Sequence, residues 1–249
     1  MSTDQKLIVL LGPTASGKTA LAVELACALD GEIISADSRQ IYRRLDIGTG
    51  KDLKEYGFIP YHLIDSQEIG EAFSVAHFQK AAFDAINDVF ARGKQPILCG
   101  GTGLYIESLL ANYQFSHVPH FLSEPLDIQF KYTVFGLNPS TETRRQKIST
   151  RFQARLKEGM LEEVQQLLFD GVHPEELRWM GLEYKWIVNY VEGIITKEEF
   201  EKGLETAIHQ FAKRQMTYFR KMERAGIEIN WIPDALDFQA KRDYILNFI

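Results

Sequence analysis

Two cysteines in 249 residues are too few for a disulfide framework, and their spacing excludes a cysteine-based metal site. Cys27 sits in an apolar helical pattern and Cys99 ends an apolar run. That placement predicts reduced, buried thiols in a cytoplasmic protein. No apolar stretch approaches membrane-spanning length, so no membrane partner is expected. The five-residue apolar run near the N-terminus is too short for a signal peptide. Internal repeats and low-complexity segments are missing. A basic excess is missing too: 28 Lys and Arg stand against 34 Asp and Glu, for a net charge of −6. The balance does not advertise nucleic-acid binding, although a local basic face is enough for it. His117 and His120 share one loop and could ligand a metal, but two ligands of that kind make a weak site. What the chain does have is a 45% hydrophobic composition, enough for a sizeable core in one large or two small domains.

The most specific string is Gly12-Pro13-Thr14-Ala15-Ser16-Gly17-Lys18-Thr19. It satisfies the phosphate-loop pattern G-x-x-x-x-G-K-[ST] at every defined position. The run before it, Lys6 to Leu11, reads as a buried strand, and Ala20 to Leu29 reads as a helix. Strand, glycine-rich turn and helix is the order the motif needs. Backbone N–H groups and the helix N-terminus then face an anion. Lys18 reaches the outer phosphate, and the Thr19 hydroxyl is placed to hold Mg²⁺.

Strands and helices alternate after this loop, which predicts a parallel α/β sheet of the P-loop NTPase type flanked by helices. Further strands are expected at Glu32–Ala36, Tyr61–Ile64, Pro96–Cys99 and Ile128–Leu137. Asp46 to Tyr56 and His117 to Pro125 read as loops. Ser74 is expected to cap a helix over Val75–Arg92, and Leu104–Leu110 is expected to be helical. From Thr141 the pattern is helical: Thr141–Lys157, Met160–Asp170, Pro174–Val191 and Thr196–Arg224. A strand at Glu228–Trp231 and a helix from Ala235 close the chain. The expected organisation is a core over 1–137, then a helix-rich part over 138–249 packed on it.

Open parallel sheets bind ligands at their strand ends. Asp37 stands at one such end and Thr102, in Gly100-Gly101-Thr102-Gly103, at another. If those strands are neighbours, both residues converge near Lys18. Asp37 there has three readings: Mg²⁺ ligand through water, general base, or loop cap. Thr102 reads equally as a helix cap. Arg151 alone reads as surface charge. Lys213, Thr217, Arg220 and Arg224 form a stripe on the last long helix, open to two readings: a solvated face or a phosphate-backbone contact.

Several strings together resemble the tRNA dimethylallyltransferase family. They are Ile33 to Tyr42 (IISADSRQIY), Asp46 to Lys51 (DIGTGK), His62 to Asp65 (HLID), Ser74 to Phe78 (SVAHF) and Gly100 to Ile106 (GGTGLYI). Gly181 to Lys185 (GLEYK) and Ala212 to Arg220 (AKRQMTYFR) follow in the family's order, so the resemblance spans most of the chain. It implies transfer of a dimethylallyl group from dimethylallyl diphosphate to N6 of an adenosine next to the anticodon of tRNA, with Mg²⁺. It also implies roles. The loop Gly12–Thr19 would hold the diphosphate of the prenyl donor. Asp37 would be the general base, Thr102 would stand in the reaction channel, and Lys18 and Arg151 would hold the leaving diphosphate. Asp37, Ser38, Arg39, Gln40 and Thr102 would meet the acceptor adenosine and its neighbours. Arg178, Lys185, Lys213, Arg214 and Arg220 would contact tRNA. A cytoplasmic monomer is expected.

The chain departs from the family at one place above all. Members carry a long helical insert that grips the anticodon stem, and here Ala111 to Asp127 bridges that gap directly. His209 stands where the family has an arginine. Three other readings therefore stand beside the first: prenyl transfer to a free adenine nucleotide, an ATP-dependent small-molecule kinase, and a degenerate RNA-binding module.

Overall fold

In the computed structural model, which describes residues 5–249, the apolar run Lys6–Leu11 (β1) lies inside a six-stranded sheet. The other strands are Gly31–Ser35 (β2), Tyr61–His62 (β3), Gln95–Gly100 (β4), Lys131–Leu137 (β5) and Ile229–Ile232 (β6). Their order is β3-β2-β4-β1-β5-β6, and every pairing is parallel. Parallel strands covered on both faces read as continuous apolar runs, as KLIVLL and PILC do. Successive side chains alternate across the sheet. Leu7, Val9 and Leu11 face one core with Ile34 and Leu98. Ile8 and Leu10 face the other with Ile33, Ile97 and Phe135.

The helices Lys18–Leu29 (α1) and Phe238–Leu246 (α10) cover the second face. Val75–Ala91 (α2) and Gly103–Leu110 (α3) cover the first. The expected Ser74 cap is present, with the His77 N–H donating to Ser74 Oγ at 3.3 Å. A third core lies away from the sheet. It joins Ile41, Tyr42 and Leu45 to residues of Thr141–Glu158 (α5), Met160–Phe169 (α6), Pro174–Trp179 (α7) and Leu182–Val191 (α8). Residues from both sides of position 137 build that core, and β6 brings the second half of the chain into the sheet itself.

The 28-residue helix Lys197–Arg224 (α9) spans two cores. Phe200 and Leu204 sit in the third core, whereas Met216, Phe219 and Met222 sit on the sheet. At a rise of about 1.5 Å per residue such a helix is about 42 Å long. It therefore crosses the C-terminal edge of the strands, where the loops gather.

Several expectations change, among them the loop over Asp46–Tyr56, which ends in a 3-10 turn at Leu53–Tyr56. The helical pattern over Pro174–Val191 is broken at Met180 and Gly181, where Gly181 has φ 137° and its missing side chain leaves room for Arg39. The segment expected as a loop over His117–Pro125 contains one helical turn, His120–Ser123 (α4). The closing helix begins at Phe238, because Asp237 caps it through the Ala240 N–H. Cys27 is exposed, not buried. Helix α1 spends its inner face on Leu21, Ala22, Leu25 and Ala26, and the next residue turns outward.

Candidate active site

Three loops meet at the C-terminal edge of the sheet because β2, β4 and β1 are consecutive neighbours. The Gly12–Thr19 loop leaves β1. Gly12 has no room for a side chain: a Cβ there would sit 2.8 Å from Ser16 Oγ and 3.1 Å from Leu137 Cβ. Gly17 takes φ 86° just before α1, a conformation that favours glycine. Lys18 then opens the helix, deep in the cleft.

Asp37 follows β2. Its Oδ1 accepts the Arg39 N–H at 2.9 Å, and its Oδ2 accepts no hydrogen bond among the described residues. Thr102 follows β4. Thr102 occupies the N-cap position of α3, but its side chain makes no cap bond there. Instead Thr102 Oγ1 accepts the Ser38 N–H at 3.1 Å, while the Thr102 N–H donates to the Ala36 carbonyl at 3.1 Å. The two strand ends are thus pinned to one another, with Asp37 and Thr102 side by side.

The fourth wall is α5. Arg151 donates to the Gly50 carbonyl at 3.3 Å and pairs with Asp52 Oδ2 at 2.6 Å. Arg155, one turn further, packs against Gly50: a Cβ on that glycine would lie 1.5 Å from Arg155 Nη2. The loop that carries Gly50 is itself held by Glu163 of α6. That carboxylate accepts the N–H groups of Asp46, Ile47 and Gly48 at 2.9, 2.7 and 3.2 Å, together with the Tyr184 hydroxyl. The string Asp46–Lys51 is therefore a platform for the two arginines.

Between the phosphate loop and α5 lies a cavity of about 640 Å³; Lys18, Lys147, Arg151 and Arg155 line it with Ser16 and Thr19, and Asp52, Glu55 and Glu158 line it as well. Ser16 Oγ and Arg155 Nη2 are buried and make no hydrogen bond. Burial pushes the Arg155 guanidinium down to about 10, and the neighbouring Arg151 charge adds to the shift. Arg155 Nη2 has only a distant ion partner, Asp52 Oδ2 at 3.7 Å. Buried donors without hydrogen bonds, next to the backbone N–H groups of the phosphate loop, suit a di- or triphosphate. Burial also lowers the Lys18 pKa, against opposing pulls from Cys99 and Asp37. A bound diphosphate favours the charged ammonium. Donor affinity should then be full below the lowered pKa and fall as pH rises through it. Titrating the donor Kd against pH checks this, and Lys18→Arg should flatten the fall.

Sequence reasoning missed two residues here. Arg155 had a signal, since it lies four residues after Arg151 and shares its helical face. Gln215 had less. This buried side chain of α9 accepts the Thr14 N–H at 2.8 Å and donates to the Gly101 carbonyl at 3.0 Å. It ties the phosphate loop to the loop of Thr102. A Cβ on Gly101 would lie 2.4 Å from Gln215 Nε2, so glycine is required there. Gln215→Leu leaves both backbone groups unsatisfied, at a cost of about 1–3 kcal/mol. The measurable result should be a raised KM for the phosphate donor.

The other sequence-predicted residues divide. Ser38 lies on the rim with its N–H on Thr102. Arg39 Nη1 donates to the Trp179 carbonyl at 3.2 Å, and Gln40 Nε2 donates to the Gly50 carbonyl at 3.1 Å. Lys185, Lys213, Arg214 and Arg220 are exposed. The Arg178 guanidinium is held by Glu175, Glu192 and Asn189, so it ties α7 to α8. Among the described residues no group of three or more His, Cys, Asp or Glu is placed to hold a metal.

Fold and loop together define an α/β enzyme of the phosphate-loop class. A family model described as IPP transferase matches residues 40–127 and 119–222, and one described as Isopentenyl transferase matches residues 5–65. The chain belongs to the IPP transferase family, the tRNA dimethylallyltransferases. It is 43% identical to tRNA dimethylallyltransferase 1 of Parabacteroides distasonis, with 95% of each chain covered. That alignment runs over 291 positions, more than the 249 residues here, so the relative carries residues that this chain lacks. The crystal structure of a tRNA isopentenylpyrophosphate transferase from Staphylococcus epidermidis superposes with a TM-score of 0.86 at 30% identity, covering 98% of both chains. A Bacillus halodurans tRNA isopentenylpyrophosphate transferase gives 0.87 at 28% identity, over 98% of this chain and 95% of that one.

Proposed function

We propose that the chain transfers a dimethylallyl group from dimethylallyl diphosphate to N6 of the adenosine next to the anticodon of tRNA. The observation that carries this is the convergence of Asp37 and Thr102 with the phosphate loop. The C1–oxygen bond of the donor breaks, the N6–C1 bond forms, and the N6 proton passes to Asp37 Oδ2. Diphosphate leaves with the bonding electron pair. Lys18, Arg151 and Arg155 balance the charge that grows on it, joined by the N–H groups of the phosphate loop. The Thr19 hydroxyl makes no hydrogen bond among the described residues and lines the same cavity, so it is the side chain that would hold Mg²⁺. Bound there, Mg²⁺ would supply further charge neutralisation of the leaving group.

An exocyclic aromatic amine is a poor nucleophile, so base help and positioning both matter. The adenine must leave its stack to reach Asp37. Ser38, Arg39 and Gln40 follow Asp37 on the rim and are the residues placed to meet its neighbours. Lys185 and the exposed cations of α9 would meet the RNA backbone.

The reading includes a cytoplasmic monomer. No helix among the described residues is long and apolar enough to cross a membrane. The kinase reading has no support from the family to which the chain belongs.

The test is direct. Incubate the protein with labelled dimethylallyl diphosphate, Mg²⁺ and unmodified tRNA, with AMP as a parallel acceptor. Label on tRNA is expected. Label on AMP alone would move the acceptor to a free nucleotide, and label on neither would overturn the reading.

A further inference from the structure

A second positively charged depression lies outside the donor chemistry. It is a cleft of about 790 Å³ between the start of α5 and one face of α9. Arg144 and Arg145 line it from α5, and Lys213 and Arg220 line it from α9; no carboxylate does. Elsewhere on this chain ion pairing is common. Arg43, Arg92 and Arg242 each hold a carboxylate. Among the described residues none of the four cleft cations does. Arg144 is half-buried, and its guanidinium is destabilised first by burial and then by the charges of Arg145 and Arg220. Helix α5 begins here at its Ser140 cap, where Asp234 accepts the Ser140 N–H at 2.9 Å and Glu142 stands in the first turn, so the free positive charge of the cleft is that of the four side chains. Like charges held together without counter-charge oppose the fold until an anion arrives.

The position narrows what that anion is. Arg144 precedes Arg151 by seven residues, so the two share a helical face about 10 Å apart. Arg151 faces the donor diphosphate pocket and Arg144 faces the cleft. A strand whose base enters the channel at Asp37 would run its flanking phosphates close by. The chain as a whole is acidic, so any RNA must be held by local positive charge. The long segment that members of the family carry is not there to help.

We propose that the cleft between α5 and α9 grips backbone phosphates of the acceptor RNA, with Arg144 and Arg145 on one wall and Lys213 and Arg220 on the other. This rests on the reading of RNA as acceptor. The cleft is a site separate from the donor diphosphate pocket and adds two arginines that the sequence motifs do not single out.

The test uses the full chain and a labelled anticodon stem-loop RNA, followed by anisotropy over a range of KCl concentrations. Arg144→Glu combined with Arg145→Glu should weaken binding at least about tenfold and reduce the slope of log K against log salt by about 1.5, as loss of two phosphate contacts requires. Lys213→Glu with Arg220→Glu should do the same from the opposite wall. Arg144→Lys with Arg145→Lys should restore the slope, since it keeps the charge. Donor affinity measured without RNA should not move in the α5 variant. If charge reversal prevents folding, the Gln/Gln pair should show a smaller shift in the same direction. Wild-type affinity and slope in the α5 variant would overturn the cleft while leaving the reaction intact. Weakened donor binding would assign the cleft to the donor and overturn it equally. A wild-type chain that neither binds nor modifies RNA would remove both proposals.

Discussion

Asp37→Asn should slow prenyl transfer by about a hundred- to ten-thousand-fold, the range for loss of a general base. The substitution is chosen for what it keeps. Asparagine has the same shape, and its Oδ1 still accepts the Arg39 N–H that Asp37 accepts at 2.9 Å. The bond from Ser38 to Thr102 uses a backbone donor and is not touched. The rim of the channel therefore keeps its geometry. What is lost is a basic oxygen at Oδ2. Single-turnover transfer at saturating RNA, measured beside donor affinity, separates the outcomes. Slow chemistry with intact donor binding supports the base. A wild-type rate removes Asp37 from that role, and a parallel loss of donor affinity makes it part of the donor pocket.

Lys51→Met should destabilise the fold by about 3 kcal/mol, the low end of the cost of breaking a buried ion pair. Lys51 is 1% exposed, yet its Nζ donates to the Tyr42 carbonyl and to Asp46 Oδ1, both at 2.7 Å, and to Asp65. Methionine fills the space of the stem but strands those acceptors. Asp46 and Asp65 keep contact with water, which holds the cost at the low end. The effect should reach the site as well. The loop fastened by Lys51 carries Gly50 and Asp52, and these position Arg151. The urea midpoint should fall and the donor Kd should rise together. An unchanged midpoint would show that the cluster adds no net stability.

Legibility in the sequence followed the range of the interactions. The phosphate loop, Asp37 and Thr102 were legible because each is carried by a contiguous string. The strands were legible because a parallel strand buried on both faces is apolar throughout. The break at Met180–Gly181 was hidden, since the apolar spacing runs on through it and only the glycine marks it. Gln215 reaches a partner 201 residues away in Thr14, and Glu163 reaches one 115 residues away in Gly48. No spacing rule connects such pairs. Thr102 stands at a helix start, and only hydrogen-bond geometry shows that its side chain turns to the Ser38 N–H and not to the helix. The partners of Arg178, on two helices, come into view only when the chain folds.

The short bridge over residues 111–127 leaves α3 and returns to β5 with its two ends side by side, since Asn112 Nδ2 donates to the Leu126 carbonyl at 3.0 Å. A segment whose ends already touch can be exchanged for a longer one at little cost in chain entropy. The bridge is thus an interchangeable handle. A longer segment could replace it while α3 and β5, and the strand ends that hold Asp37 and Thr102, keep their places.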